Sequence, residues 1–154
     1  VNGIVNRLIG YLLLYIGVRV SELVSVRLED ISLMPSALTV KGKGGKIREI
    51  SLRQDVLAYM KDYMQGEREE SPFHSSSYLL VSQRVEKLHR DAVRNWLSHA
   101  SKELQIHLHP HLFRHTFATR LLRMVGWIKE NNCTHVALEI TSVYRKHIVN
   151  LLEA

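Results

Sequence analysis

Residues 110–119 read Pro110-His111-Leu112-Phe113-Arg114-His115-Thr116-Phe117-Ala118-Thr119, and their spacing organises the reading of everything around them. Proline is at home in the first turn of a helix, where its missing N–H would have no intrahelical partner. A helix therefore starts at Pro110, and His111, Arg114 and His115, three and four residues apart, share one face near its beginning. His115 is expected to pack or bind backbone rather than do chemistry. A guanidinium flanked by imidazoles offers directed N–H donors to an oxyanion.

Working back from that helix, Asp91 is placed to cap another, which carries Val93, Trp96, Leu97, Ala100 and Leu104 on one side. Tyr78 to Ser82 reads as a short strand, and the polar, proline-containing stretch 65–77 as an exposed loop. Val56, Leu57, Met60, Tyr63 and Met64 recur at helical spacing. From Leu38 to Leu52 the period falls to two around the turn Lys41-Gly42-Lys43-Gly44-Gly45-Lys46, which predicts a β-hairpin with a cationic tip. Ile4, Leu8, Leu12 and Ile16 mark a first helix interrupted at Gly17; Ser21 and Glu22 open a second, which puts Arg19 at a junction between helices. Beyond the opening stretch, Met124 to Ala154 looks helical in pieces.

The chain has 154 residues and is 45% hydrophobic, enough for one domain with a substantial core. Its 21 Lys and Arg against 15 Asp and Glu give a net charge of +6 and favour a polyanionic partner. Cys133 is the single cysteine, so neither an intramolecular disulfide nor a cysteine-based zinc site can form, and a reducing cytoplasm is the natural setting. The apolar run Leu8 to Val18 is far short of the roughly 20 residues that cross a bilayer, so no membrane partner is expected. His107, His109, His111 and His115 form a histidine-rich tract, but no Glu accompanies them in a metalloprotease arrangement and Pro110 interrupts a continuous ligand face. No metal and no other cofactor is expected.

Four blocks in order resemble the tyrosine recombinase (phage integrase) family. Gly17-Val18-Arg19-Val20-Ser21-Glu22-Leu23 is similar to its Gly-x-Arg-x-Ser-Glu-Leu block, with Val18 where Leu is commoner. The hairpin tip is similar to its Gly-Lys-Gly-x-Lys turn. His111 to Ala118 matches His-x-x-Arg-His-Thr/Ser-Phe-Ala, with Phe113 in place of Leu. Thr134 to Tyr144 resembles its Gly-His-x5-Thr-x2-Tyr ending, since His135 and Tyr144 stand nine positions apart. The stretch Trp127 to Thr134 departs from the apolar Leu-Leu-Gly-His approach that the family usually carries, being shorter and more polar.

The resemblance implies a mainly helical α+β fold with a small antiparallel β-sheet: the family's catalytic domain over residues 1–154, a piece of a longer protein without the N-terminal DNA-clamping domain. It also implies site-specific recombination by strand cleavage and rejoining through a 3′-phosphotyrosyl intermediate. Tyr144 is then the nucleophile, Arg19, Arg114 and His135 stabilise the phosphorane, Lys43 protonates the leaving oxygen and His111 manages the tyrosine proton. Lys41, Lys46 and Arg48 are expected to hold DNA. The implied partners are double-stranded DNA and further protomers of the same chain, with no small-molecule substrate; Ile148, Leu151 and Leu152, at helical spacing, suit either docking on a neighbour or packing on their own domain. Two alternatives stay open at this level: a non-catalytic DNA-binding or regulatory remnant of the fold, and a relaxing activity like that of type IB topoisomerases.

Overall fold

The computed structural model describes residues 3–131, apart from the Lys43 side chain. Helix α1 spans Ile4–Tyr11 and widens into a π-helical turn over Leu12–Ile16. Its apolar residues at helical spacing bury Leu8, Ile9, Leu12, Leu13 and Ile16. Glu67 caps the start of the helix by accepting from the Val5 N–H at 3.0 Å. Helix α2 (Val20–Leu23) follows, then a 3₁₀ turn (Leu28–Asp30) leads into a three-stranded antiparallel sheet of β1 (Ile31–Leu33), β2 (Ser36–Lys41) and β3 (Ile47–Ser51) in that order. The β2–β3 register pairs Val40 with Arg48 and Lys41 with Ile47. The predicted hairpin and its cationic tip are thus present, with Gly44 at φ 74° in the turn, a region glycine enters freely.

Three longer helices complete the described chain: α3 (Gln54–Gln65), α4 (Arg90–Leu104) and α5 (Pro110–Glu130). The core lies between α1, α2, one face of the sheet, α3 and the buried side of α4, where Leu23, Leu38, Val40, Ile50, Val56, Met60, Val93 and Leu97 meet. The architecture is the mainly helical α+β arrangement with a small antiparallel sheet. Helix α5 starts at Pro110, with His109 as its cap, and it packs on the widened turn Leu12–Ile16.

Three local readings need correction. The third strand is Ile31–Leu33, not Tyr78–Ser82, because the backbone groups of the latter go to several neighbours. Tyr78 makes one bridge with Arg27, the Leu79 N–H reaches Val26 O and the Val81 N–H reaches the Tyr63 hydroxyl. Leu80 O accepts from Leu88. The cap of α4 is His89 rather than Asp91: His89 is extended, and Asp91 lies in the first turn, where a carboxylate suits the helix dipole. Residues 65–77 are not simply exposed, since they fold around the buried guanidinium of Arg68. That group donates to the carbonyls of His74 (2.7 Å), Ser76 (2.6 Å), Tyr78 (3.1 Å) and Leu79 (3.3 Å). Of the stretch 124–154, read as helical in pieces, Met124 to Glu130 belong to α5, and 132–154 lie outside the described residues.

Candidate active site

The site is built from the end of the first helical segment. Gly17 closes it in the left-handed conformation (φ 62°), and a Cβ placed there would lie 2.7 Å from Cδ1 of Phe117 on α5. Only glycine combines that backbone with that approach. The Gly17 carbonyl accepts from Nη1 of Arg114 at 3.0 Å, so a residue 97 positions later is fixed to the same turn. Arg19, two residues on, is extended and caps α2.

Glu22 organises the arginines around that turn. Its carboxylate accepts from the Arg19 N–H (2.8 Å) and from Arg19 Nη1 (3.1 Å). It also accepts a fork from Arg48, Nη1 at 3.1 Å and Nη2 at 2.7 Å. Burial pushes the Glu22 carboxyl up, but hydrogen bonds from Arg48 and from the Arg19 N–H, with the Arg48 charge, outweigh it and hold its pKa below the ordinary value. Arg48, which was expected to hold DNA, has a side chain only 15% exposed, with its fork on a carboxylate that is 4% exposed. Arg19 keeps 52% of its side chain exposed and is free to meet a ligand with its remaining donors.

Arg19, His111 and Arg114 line one open cleft of about 350 Å³, joined there by Ser21 and by Arg90 and Arg94 from α4. Sequence reasoning did not single out either α4 arginine, nor the role of Glu22. The arginine signal was available, since Arg90 and Arg94 stand four apart on one helix face. Arg94 is braced by Asp91 at 3.2 Å. Such a concentration of guanidinium N–H donors suits an oxyanion with several equivalent oxygens, phosphate above all.

The remaining predicted residues fall elsewhere. His115, expected to pack or bind backbone, is exposed on α5. Lys41 is 58% exposed and lies 3.5 Å from Asp30. Lys46 is exposed, and its carbonyl closes the hairpin tip by accepting from the Gly42 N–H. Lys43 sits in that tip. His135 and Tyr144 lie outside the described residues, as do Ile148, Leu151 and Leu152. In the histidine tract, His109 caps α5 by accepting from the Leu112 N–H at 3.3 Å. Among the described residues no three His, Cys, Asp or Glu side chains are grouped to hold a metal ion, and no described helix is long and apolar enough to cross a membrane.

Comparison with known proteins places this geometry. The chain is 36% identical to the tyrosine recombinase XerA of Pyrococcus furiosus, over 96% of its own length and 54% of that protein. It is 34% identical to the TnP I resolvase of Bacillus thuringiensis, over 90% and 49% respectively. The chain therefore spans about half the length of these relatives. A crystal structure of XerA recombinase superposes with a TM-score of 0.66 at 28% identity, covering 79% of this chain and 46% of that one. With the phage integrase family profile matching residues 1–149, the chain belongs to the phage integrase family.

Proposed function

We propose that this chain is the catalytic domain of a site-specific DNA recombinase and that the cleft of Arg19 and Arg114 seats the scissile phosphate. The observation that carries the reading is the convergence of Arg19, His111 and Arg114, from segments far apart in the chain, on one cleft. In the reaction the Tyr144 oxygen attacks phosphorus and forms a 3′-phosphotyrosyl bond, while the bond to the 5′ oxygen breaks. Attack by the 5′ hydroxyl of a partner strand reverses the step and releases tyrosine, so the number of phosphodiester bonds is conserved.

Each side chain then has a defined task. A phenol with an ordinary pKa of about 10 is a poor nucleophile at neutral pH, and His111, at the rim of the cleft, is the group that accepts its proton. Arg19 and Arg114 bind the equatorial oxygens, which gain charge in the pentavalent transition state. His135 adds a donor to the same oxygens. Lys43, on the hairpin tip, protonates the leaving 5′ oxygen. Lys41 and Lys46 meet phosphates along the duplex. Further protomers assemble on the same DNA, and the protein resides with that DNA in the cytoplasm.

The experiment is covalent trapping. Duplexes from a randomised pool, nicked so that the released strand diffuses away, are incubated with the chain, and covalent protein–DNA species are recovered and sequenced. The proposal expects a trapped species that Tyr144→Phe abolishes. Persistence of that species in the Tyr144→Phe protein would remove Tyr144 from the mechanism. Normal duplex binding with no trapped species would instead support a binding-only remnant.

A further inference from the structure

A second cleft of about 310 Å³ adjoins the first and shares two of its walls, Ser21 and Arg90; Ser25, Lys87 and His89 complete its polar lining. Ser25, Lys87 and His89 lie outside the first cleft and have no part in the chemistry described above. We propose that this cleft is a second phosphate seat, holding a DNA backbone phosphate that flanks the one gripped by Arg19 and Arg114. The inference rests on the reading of the first cleft as a phosphate site and extends it to the neighbouring nucleotide.

The ammonium of Lys87 is held in place from two sides. It lies 3.5 Å from the Ser25 hydroxyl and 4.7 Å from the centre of the Tyr78 ring, and Arg27 lies near the same ring at 5.5 Å. Tyr78 is itself anchored, since its backbone bridges Arg27 and the adjacent Leu28 N–H donates to Ser77 O at 2.9 Å. A half-buried tyrosine ring thus aims a lysine at a serine hydroxyl on the edge of the cleft. Among the described residues neither Lys87 nor Arg90 has a carboxylate within ion-pairing distance. The carboxylate next in the chain, Asp91, is turned to His89 Nδ1 (3.1 Å) and Arg94 (3.2 Å).

Two cationic clefts with a common wall match what a polynucleotide presents. Successive phosphates of one strand rise by only about 3.4 Å along the axis, so a strand laid over the first cleft delivers its next charge immediately beside it. A hydroxyl pair with an ammonium suits a phosphodiester, which accepts hydrogen bonds and offers no donor. Backbone contacts of this kind set register and orientation rather than sequence preference. The second seat therefore positions the scissile phosphate by fixing the strand at a neighbouring point.

The test uses the chain itself and a generic duplex, with affinity measured by fluorescence anisotropy across a series of salt concentrations. Neutralising one phosphate contact lowers the slope of log affinity against log salt by about one. Lys87→Ala should show that drop with roughly three- to tenfold weaker binding at low salt. Lys87→Arg should restore both, and Lys61→Ala, at an exposed position on α3 outside both clefts, should change neither. Ser25→Asp should weaken binding further than Lys87→Ala, while Ser98→Asp, exposed on α4, should not. An unchanged slope in Lys87→Ala, or an equal drop in Lys61→Ala, overturns the second seat. The trapping assay separates the two readings: a Lys87-dependent slope without any covalent species sinks the recombinase reading alone, and a covalent species without the Lys87 effect sinks the second seat alone. Absence of duplex binding sinks both.

Discussion

Glu22 receives four hydrogen bonds from two arginines and a backbone N–H while remaining almost wholly buried, and its charge therefore governs the site at the scale of single residues. Replacing it with Gln leaves the inward guanidinium of Arg48 without its counter-charge. Breaking a buried pair from one side typically costs about 3 kcal/mol, so Glu22→Gln should lower the melting temperature by several degrees in a thermal melt at pH 7. The pH dependence follows from the depressed Glu22 pKa. A carboxyl held lower in the folded state contributes stability above its unfolded pKa of about 4.3 and loses that contribution as pH falls through the folded value. Melts of the native chain should therefore drop between roughly pH 5 and the folded pKa by an amount that Glu22→Gln does not show. Equal slopes in the two proteins would mean that Glu22 is not the titrating group. Glu22 was visible in the sequence as part of Gly-x-Arg-x-Ser-Glu-Leu, but its role as the hub for Arg48 depends on the β3 register and could not be read from the block.

Among elements, the joint between the Gly17 turn and α5 sets where Arg114 stands. The contact is close on both sides, with Phe117 against the glycine and the Arg114 guanidinium on its carbonyl. Gly17→Ala introduces a methyl group into Phe117 and forces an L side chain into the left-handed region. We expect it to destabilise the chain by about 1–3 kcal/mol and to slow covalent trapping by more than its loss of folded protein explains. Trapping that simply tracks the folded fraction would show that the joint does not position Arg114. A second joint links α3 to the segment after Arg68: the buried Tyr63 hydroxyl donates to Val81 O (3.4 Å) and accepts the Val81 N–H (3.1 Å). Tyr63→Phe leaves that N–H unpaired and should cost about 1–3 kcal/mol in a denaturant titration. A loss below about 0.5 kcal/mol would contradict this accounting. Helix spacing and the proline start of α5 were legible in the residues, as was the hairpin. The buried Arg68 was not, because a polar stretch rich in serine carries the same composition whether it is solvated or wrapped around a guanidinium. The short strand Ile31–Leu33 was missed for a different reason, since a run of that length has too few alternations to show a period.

For the whole molecule, the net charge of +6 is less informative than its placement. Arg19, Arg90, Arg94 and Arg114 share one cleft, whereas Arg48 and Arg68 are turned inward to hold the fold. Composition alone treats all six alike; only the packing separates those left open in a cleft from those turned into the fold. Among the sequence blocks, the one at His111 was the most informative because it fixed a helix start and its facing residues together. The central claim is that Arg19 and Arg114 act on one phosphate in the transition state. Single-turnover trapping rates on a captured duplex, with affinities measured in parallel, test it most directly. The account predicts that Arg19→Ala and Arg114→Ala each slow trapping by on the order of a hundred- to a thousand-fold, with affinity falling far less; a wild-type rate in either variant would contradict it.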